Sequence, residues 1–250
     1  METTQLSRVL IISDNAFLCG QFIGVIRALN AADKAHFDFA YSWHNKTFTP
    51  PAAAEGFTFT PVKVKTEWER LVADYDIVFS IHCKQLFPPE LVRGTRCYNV
   101  HPGLNPHNRG WFPQVFSLIN GLPCGATLHE IDEHLDHGRI IGQQEVAVNA
   151  WDTSADVYNR VLLAETELLR EHLMGILVNS YPTSTPEGEG NLNLKKDFDV
   201  LCHIDLNEQA SYKDVINRLR ALTHGNLNNA YFIDETTNKK VFIQIKLTPE

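Results

Sequence analysis

Short apolar runs recur along the first half of the chain, and between them lie segments whose apolar residues return every three or four positions. Arg8 to Ser13 is one such run; it ends at a polar turn and is followed by Phe17, Phe22, Ile26 and Leu29 at helical spacing. Further runs stand at His36 to Ser42, Asp76 to Ile81 and Cys97 to His101, separated by a helical pattern around Glu67 to Tyr75 and by Pro88, Pro89 and Pro102. Strands that alternate with helices return in the same direction, so the spacing predicts an α/β fold: a Rossmann-like, mostly parallel sheet with helices on both faces. A helix from about Gly110 to Asn120 and strands at Gly125 to Ile131 and Ile141 to Val148 continue the pattern.

Thr153 with Asp156 three residues on reads as a capping box. It opens a long amphipathic segment carrying Val157, Val161, Leu168, Leu169, Leu173 and Ile176, which should pack across the sheet and close the first domain. From Ser180 to Asn193 the composition turns linker-like, with Pro182, Pro186, Gly188 and Gly190. A second capping box, Ser211 with Asp214, starts a helix with Val215, Leu219 and Leu222 on one face. Runs at Ala230 to Ile233 and Lys240 to Leu247 flank the turn Asp234 to Asn238 and predict a hairpin. The expected division is therefore 1–185 and a small C-terminal α+β unit, 186–250. About sixty residues is marginal for an independent core, so this unit is expected to dock on the first domain or on a second subunit.

The composition, 44% hydrophobic and 21% charged over 250 residues, is that of a globular protein. A formal net charge of −8 argues against a surface that neutralises many phosphates, so no nucleic-acid partner is expected. Met1 to Ser7 lacks an apolar leader, and no apolar stretch approaches the ~18 residues of a membrane span. A soluble, cytoplasmic, unprocessed chain follows. The cysteines at 19, 83, 97, 124 and 202 form no Cys-x-x-Cys pair and are expected as reduced thiols, most of them small buried hydrophobes.

Chemistry concentrates at Cys97-Tyr98-Asn99-Val100-His101-Pro102-Gly103. Residues two apart on a strand share a face, so Asn99 and His101 project together at the carboxyl edge of the sheet, where α/β folds bind ligands. Asp136, in Leu135-Asp136-His137-Gly138, is the acidic group that a neighbouring turn can bring beside His101. His129, Glu130, Asp132, Glu133, His134, Asp136 and His137 also form a cluster rich in metal-ligating types, but it lacks the His-Glu-x-x-His spacing. A strand running into a turn should scatter these side chains, and no metal is expected. The first loop, Ser13-Asp14-Asn15-Ala16-Phe17-Leu18-Cys19-Gly20, lacks Gly-x-Gly-x-x-Gly, which argues against a dinucleotide-binding reductase.

Asn99-x-His101-Pro102-Gly103, then Leu104-Asn105-Pro106-His107-Asn108-Arg109-Gly110, and Leu135-Asp136-His137-Gly138 35 residues after His101, resemble the signature of folate-dependent formyltransferases. Ile81-His82-Cys83-Lys84-Gln85, Asn108-Arg109-Gly110-Trp111-Phe112-Pro113 and the tail Arg218 to Gly225 resemble most the branch that formylates dTDP-linked amino-dideoxy sugars. The resemblance implies a formyltransferase fold, 10-formyltetrahydrofolate as formyl donor, and catalytic roles for Asn99, His101 and Asp136. It also implies a pterin lying against main chain near Ser80, Ile81, His82, Cys83, Gln85 and Leu86 and near Ile131, Asp132 and Leu135.

An amine attacking the formyl carbon creates an oxyanion. Asn99 can donate an N–H to it, and His101 can take the amine's proton or share the oxyanion, with Asp136 fixing its tautomer. For the acceptor, a pyrophosphate calls for cations, and Lys84 and Arg109 are the nearest to the motif in sequence. Trp111 is placed to cover the sugar, Asn108 beside Arg109 is expected to bind the acceptor with it, and Asn15, at the loop after the first strand, is expected to reach the ligand as well. The acceptor expected on similarity is dTDP-4-amino-4,6-dideoxyglucose, for O-antigen or another surface polysaccharide. A 3-amino sugar nucleotide, glycinamide ribonucleotide, methionyl-tRNA and water are the alternatives. The first loop lacks the phosphate loop of the ribonucleotide enzyme, and the acidic charge and short tail disfavour tRNA. The small C-terminal unit is expected to mate with its copy in a homodimer.

Overall fold

The computed structural model describes residues 6–250, so Met1 to Gln5 of the polar start lie outside the described residues. In chain order the elements are β1 (Ser7–Ser13), α1 (Ala16–Ala28), β2 (Ala35–Ser42), β3 (Phe59–Val62), α2 (Val64–Asp74), β4 (Ile77–Ile81), α3 (Pro89–Gly94) and β5 (Arg96–His101). They continue with β6 (Arg109–Gly110), α4 (Pro113–Asn120), β7 (Gly125–Glu130), β8 (Ile140–Glu145), α5 (Ser154–Leu177), β9 (Leu192–Asn193), α6 (Lys195–Cys202), α7 (Tyr212–Leu222), β10 (Tyr231–Ile233) and β11 (Lys240–Phe242).

The chain packs as two compact units. The first comprises residues up to 101 with 127–143 and 165–186; the second comprises 102–126, 144–164 and 187–250.

The first unit is built on a sheet of order β3-β2-β1-β4-β5-β7-β8, with β1, β2, β3, β4 and β5 mutually parallel and β7 antiparallel to β5. β1 is buried at every position from Val9 to Ser13, which is why its sequence is an apolar run rather than an alternation. Leu10, Ile12, Val78 and Cys97 join Val64 and Leu71 of α2 and Leu91 of α3 in one cluster. Phe22 of α1 meets Phe39 and Phe79 edge-on, and Phe79 continues to Tyr98. Asn15 caps α1 by accepting from Leu18 N at 3.2 Å. The buried face of α1 is wider than the Phe17, Phe22, Ile26, Leu29 pattern suggested: Leu18, Cys19, Ile23 and Val25 are buried as well, while Phe17 is exposed.

In the second unit α4 starts at Pro113, not at Gly110. Gly110 has φ +91 and belongs to β6, which pairs with β9, and a Cβ there would collide with the Asn193 carbonyl. Proline at the first helical position then suits α4. Strand β8 stops at Glu145, short of the expected Val148. Helix α6 carries no Ser, Thr, Asp or Asn at its cap; Asp197 reaches back to Leu194 N at 2.7 Å instead, and the sequence signal was missed for that reason. The expected caps hold at Thr153, whose N–H donates to Asp156 at 2.8 Å, and at Ser211, which accepts from Asp214 N at 3.1 Å. β10 and β11 form the expected hairpin. Arg220 of α7, almost fully buried, donates to the carbonyls of Asn149 and Asp152 at 2.8 and 3.1 Å.

Among the described residues, no helix is long and apolar enough to cross a membrane. All five cysteines are free thiols, and burial pushes those of Cys83 and Cys97 up to about 12, so they stay protonated and inert.

Candidate active site

The antiparallel pairing of β5 with β7 sets Asn99 opposite His129 and His101 opposite Thr127. Direct cross-strand partners share a face, so two histidines and an asparagine meet on one side of the sheet. His101 and His129 are nearly fully buried. Asp136 reaches them from the turn after β7, with its backbone at φ +49. Gly138 makes that turn possible, because a Cβ there would collide with the Glu130 carbonyl. Glu130 N then bonds Arg139 O at 2.9 Å, folding the turn back on β7.

Asn99 Nδ2 donates to Asp136 Oδ1 at 3.0 Å, and His101 Nδ1 stands 3.5 Å from Asp136 Oδ2. Asn99 Nδ2 also lies 3.2 Å from His129 Nε2. The roles follow from chemistry. His129 Nδ1 is 2.7 Å from the Glu130 carbonyl, which only accepts, so Nδ1 carries the proton and Nε2 is the acceptor for Asn99. Burial holds His129 below its ordinary value against the pull of Asp136, keeping it neutral. Both neighbours of the Asn99 amide are therefore acceptors, which fixes its NH2 toward them and its oxygen away.

The segment expected to face the pterin sits in the same unit. Ser80 and Ile81 end β4, and His82 takes the left-handed backbone at φ +52. Asp14 ties three strand ends together, accepting from Ser42 N and Oγ, Asn45 Nδ2 and Lys84 N. Burial would raise the Asp14 carboxyl, but these donors outweigh it and hold it below the usual carboxylate range. Gln85 is spent inside the protein: Nε2 donates to Ser42 Oγ and Val62 O, and Oε1 accepts from Val64 N. Lys84 and Leu86 are exposed, and the partly buried Cys83 has its sulfur 3.9 Å from Ser42 Oγ. Ile131 packs on the core with its N–H on Cys97 O at 2.8 Å, and Leu135 is exposed. Asn15 Nδ2 lies 3.5 Å from His82 Nδ1.

Asn108, Arg109 and Trp111 belong to the second unit. Asn108 is buried with its amide on Ser117 and Asn120 and its oxygen accepting from Asn191 and Asn120, each at 2.7 Å. Arg109 Nη2 donates to Glu189 O at 2.9 Å, and Trp111 is 42% exposed. A cavity of about 460 Å³ in this unit lies between α4 and α7 and holds none of these three side chains.

Two groups escaped the sequence reading. His129 reads locally as one of many histidines and acids; its signal is the antiparallel register, which no local pattern carries. Asp14 reads locally as a turn residue. The expectation that the 129–137 cluster scatters is also corrected: the turn gathers Asp132, His134 and His137 with donor atoms within 4.8 Å, because His137 Nδ1 bonds Asp132 Oδ2 at 2.8 Å and His134 N bonds Asp132 Oδ1.

Comparison with known proteins identifies the family. The family described as "Formyl transferase" matches residues 39–173, and the "N-formyltransferase dimerization C-terminal domain" matches 197–249. A Mycobacterium tuberculosis protein named dTDP-4-amino-4,6-dideoxyglucose formyltransferase is 54% identical over 180 residues, covering 72% of this chain and 76% of the relative. The crystal structure of a Francisella tularensis 4-N formyltransferase superposes with a TM-score of 0.91 at 40% identity, covering 98% of this chain and 99% of the other. That of a sugar N-formyltransferase from a Shewanella species gives 0.91 at 42%, covering 98% and 100%.

Proposed function

Since this chain belongs to the formyl transferase family and is an N-formyltransferase, we propose that it moves the formyl group of 10-formyltetrahydrofolate onto the amino group of dTDP-4-amino-4,6-dideoxyglucose. The observation that carries the reaction type is one buried carboxylate, Asp136, within reach of both the Asn99 amide and the His101 imidazole. The acceptor assignment is supported by the 54% identity to a protein bearing that name.

The neutral amine attacks the formyl carbon, and the carbonyl electron pair moves to oxygen. One Asn99 N–H points at the neutral Nε2 of His129 in the resting site. A developing oxyanion is the better acceptor, since charge-assisted hydrogen bonds are about twice as strong as neutral ones, and it captures that N–H. Asp136 favours the His101 tautomer with the proton on Nδ1, which leaves Nε2 to accept the proton that the attacking amine sheds. Collapse of the tetrahedral centre breaks the bond to N10 of the folate, which takes that proton back from His101 Nε2, and the product is the formamide. A folate fits the 80–86 and 131–135 segments through their main chain. For the acceptor, the second unit offers Arg109 to the diphosphate and Trp111 to the sugar, with Asn108 shaping their loop.

The C-terminal unit, 186–250, pairs with a second copy. Val200, Leu206 and Tyr212 are 71, 59 and 90% exposed, and the family description of residues 197–249 is a dimerization domain. A monomeric mass in light scattering contradicts this. The product formamide serves surface-polysaccharide synthesis in the cytoplasm. The decisive experiment incubates the chain with 10-formyltetrahydrofolate and a panel of dTDP-amino sugars and looks by mass spectrometry for the gain of one CO. Formylation of glycinamide ribonucleotide but of no sugar nucleotide overturns the acceptor.

A further inference from the structure

Glu165 is fully buried in α5, in the half that belongs to the first unit, where Leu168 and Leu169 of the same helix are buried too. Its carboxylate embraces one ring nitrogen: His82 Nε2 lies 2.8 Å from Oε1 and 3.0 Å from Oε2. A buried carboxylate is a poor source of stability, and a well-packed hydrophobic residue in its place is often neutral or better. A helix already rich in leucine would be served by one more. The cost of this carboxylate therefore points to what it holds.

What it holds is the residue where β4 ends. His82 sits in the left-handed region at φ +52, a conformation uncommon for a side-chain-bearing residue and found where the surrounding contacts over-determine it. Asn15 approaches the other ring nitrogen, Nδ1, with its Nδ2 at 3.5 Å while its oxygen caps α1. An amide donor at Nδ1 leaves the ring proton on Nε2, where the carboxylate accepts it. The imidazole is thus clamped between two elements, and with it the bend that sends Cys83, Lys84, Gln85 and Leu86 away from the strand.

We propose that Glu165 is a positioning residue that, through His82, sets the 82–86 main chain in the geometry that receives the folate. It touches no reacting atom. The proposal rests on the formyl-transfer reading for the identity of the ligand, but the positioning itself does not.

The test compares Glu165→Leu with Glu165→Gln, which keeps the volume and an acceptor for His82, in the full chain. Glu165→Leu is expected to raise the KM for 10-formyltetrahydrofolate about tenfold, with kcat within about twofold of the parent. Glu165→Gln should restore most of that loss. Independently of any ligand, amides 83–86 should exchange with deuterium about tenfold faster in Glu165→Leu. Should Glu165→Leu not fold, Glu165→Met, more adaptable in volume, takes its place. Unchanged folate KM together with unchanged exchange overturns the proposal, as does equal loss in the Leu and Gln variants. A parent chain that uses no folate refutes the formyl-transfer reading instead, and the exchange rates still decide the role of Glu165.

Discussion

Asn99 and Asp136 share a hydrogen bond of 3.0 Å between residues 37 apart in sequence, and it makes the amide and the His101 imidazole dependents of one carboxylate. Removing the carboxylate therefore disturbs both groups, whereas removing either dependent leaves the other in place.

Asn99→Ala and His101→Ala should each lower kcat by ~100-fold or more, the usual consequence of deleting a preorganised oxyanion donor or a general base. Both variants should unfold cooperatively in circular dichroism, since the core lies in the apolar clusters of β1, β4 and their helices. Near-normal turnover in either removes that residue from the mechanism.

His129→Leu removes the acceptor that orients the Asn99 amide but no reacting group. A neutral hydrogen bond is worth about 1 kcal/mol, so kcat should fall about fivefold to tenfold with both KM values little changed. A loss as large as that of Asn99→Ala would make His129 a participant in the chemistry.

Arg109→Ala should act on the nucleotide sugar alone, raising its KM while folate binding, followed by fluorescence quenching, stays as it was. A loss confined to folate contradicts the placement.

Asp14 links folding to acid. Its folded pKa lies below its ordinary value: burial pushes the other way, but the donors from Ser42, Asn45 and Lys84 prevail. Its stabilisation is accordingly complete above the unfolded value, about 4, and is lost as the pH falls through the depressed folded value. Urea midpoints measured at successive pH values below about 4 should fall less steeply for Asp14→Asn than for the parent. Parallel curves would show that Asp14 is not the sensing group.

Arg220→Met leaves the carbonyls of Asn149 and Asp152 without the Arg220 guanidinium that meets them at 2.8 and 3.1 Å. The cost expected from two buried acceptors is about 2–4 kcal/mol, read as a lower urea midpoint.

The sequence by itself determined the strands β1, β2, β4, β5, β7 and β8 and the shared face of Asn99 and His101, but not β3, since Phe59–Val62 is no apolar run. Apolar runs such as Val9 to Ile12, short and bounded by polar turns, read as strands buried on both faces, and on a strand the two-residue spacing of Asn99 and His101 puts them side by side. Those are local consequences of backbone geometry, legible without partners. Tertiary structure alone decided the rest. His129 enters the site through antiparallel register, Gly138 lets the turn fold close enough for Asp136 to arrive, and Glu165 reaches His82 across 83 positions. Each depends on a contact between segments distant in sequence, where a residue's role is set by what packs against it and not by the pattern around it.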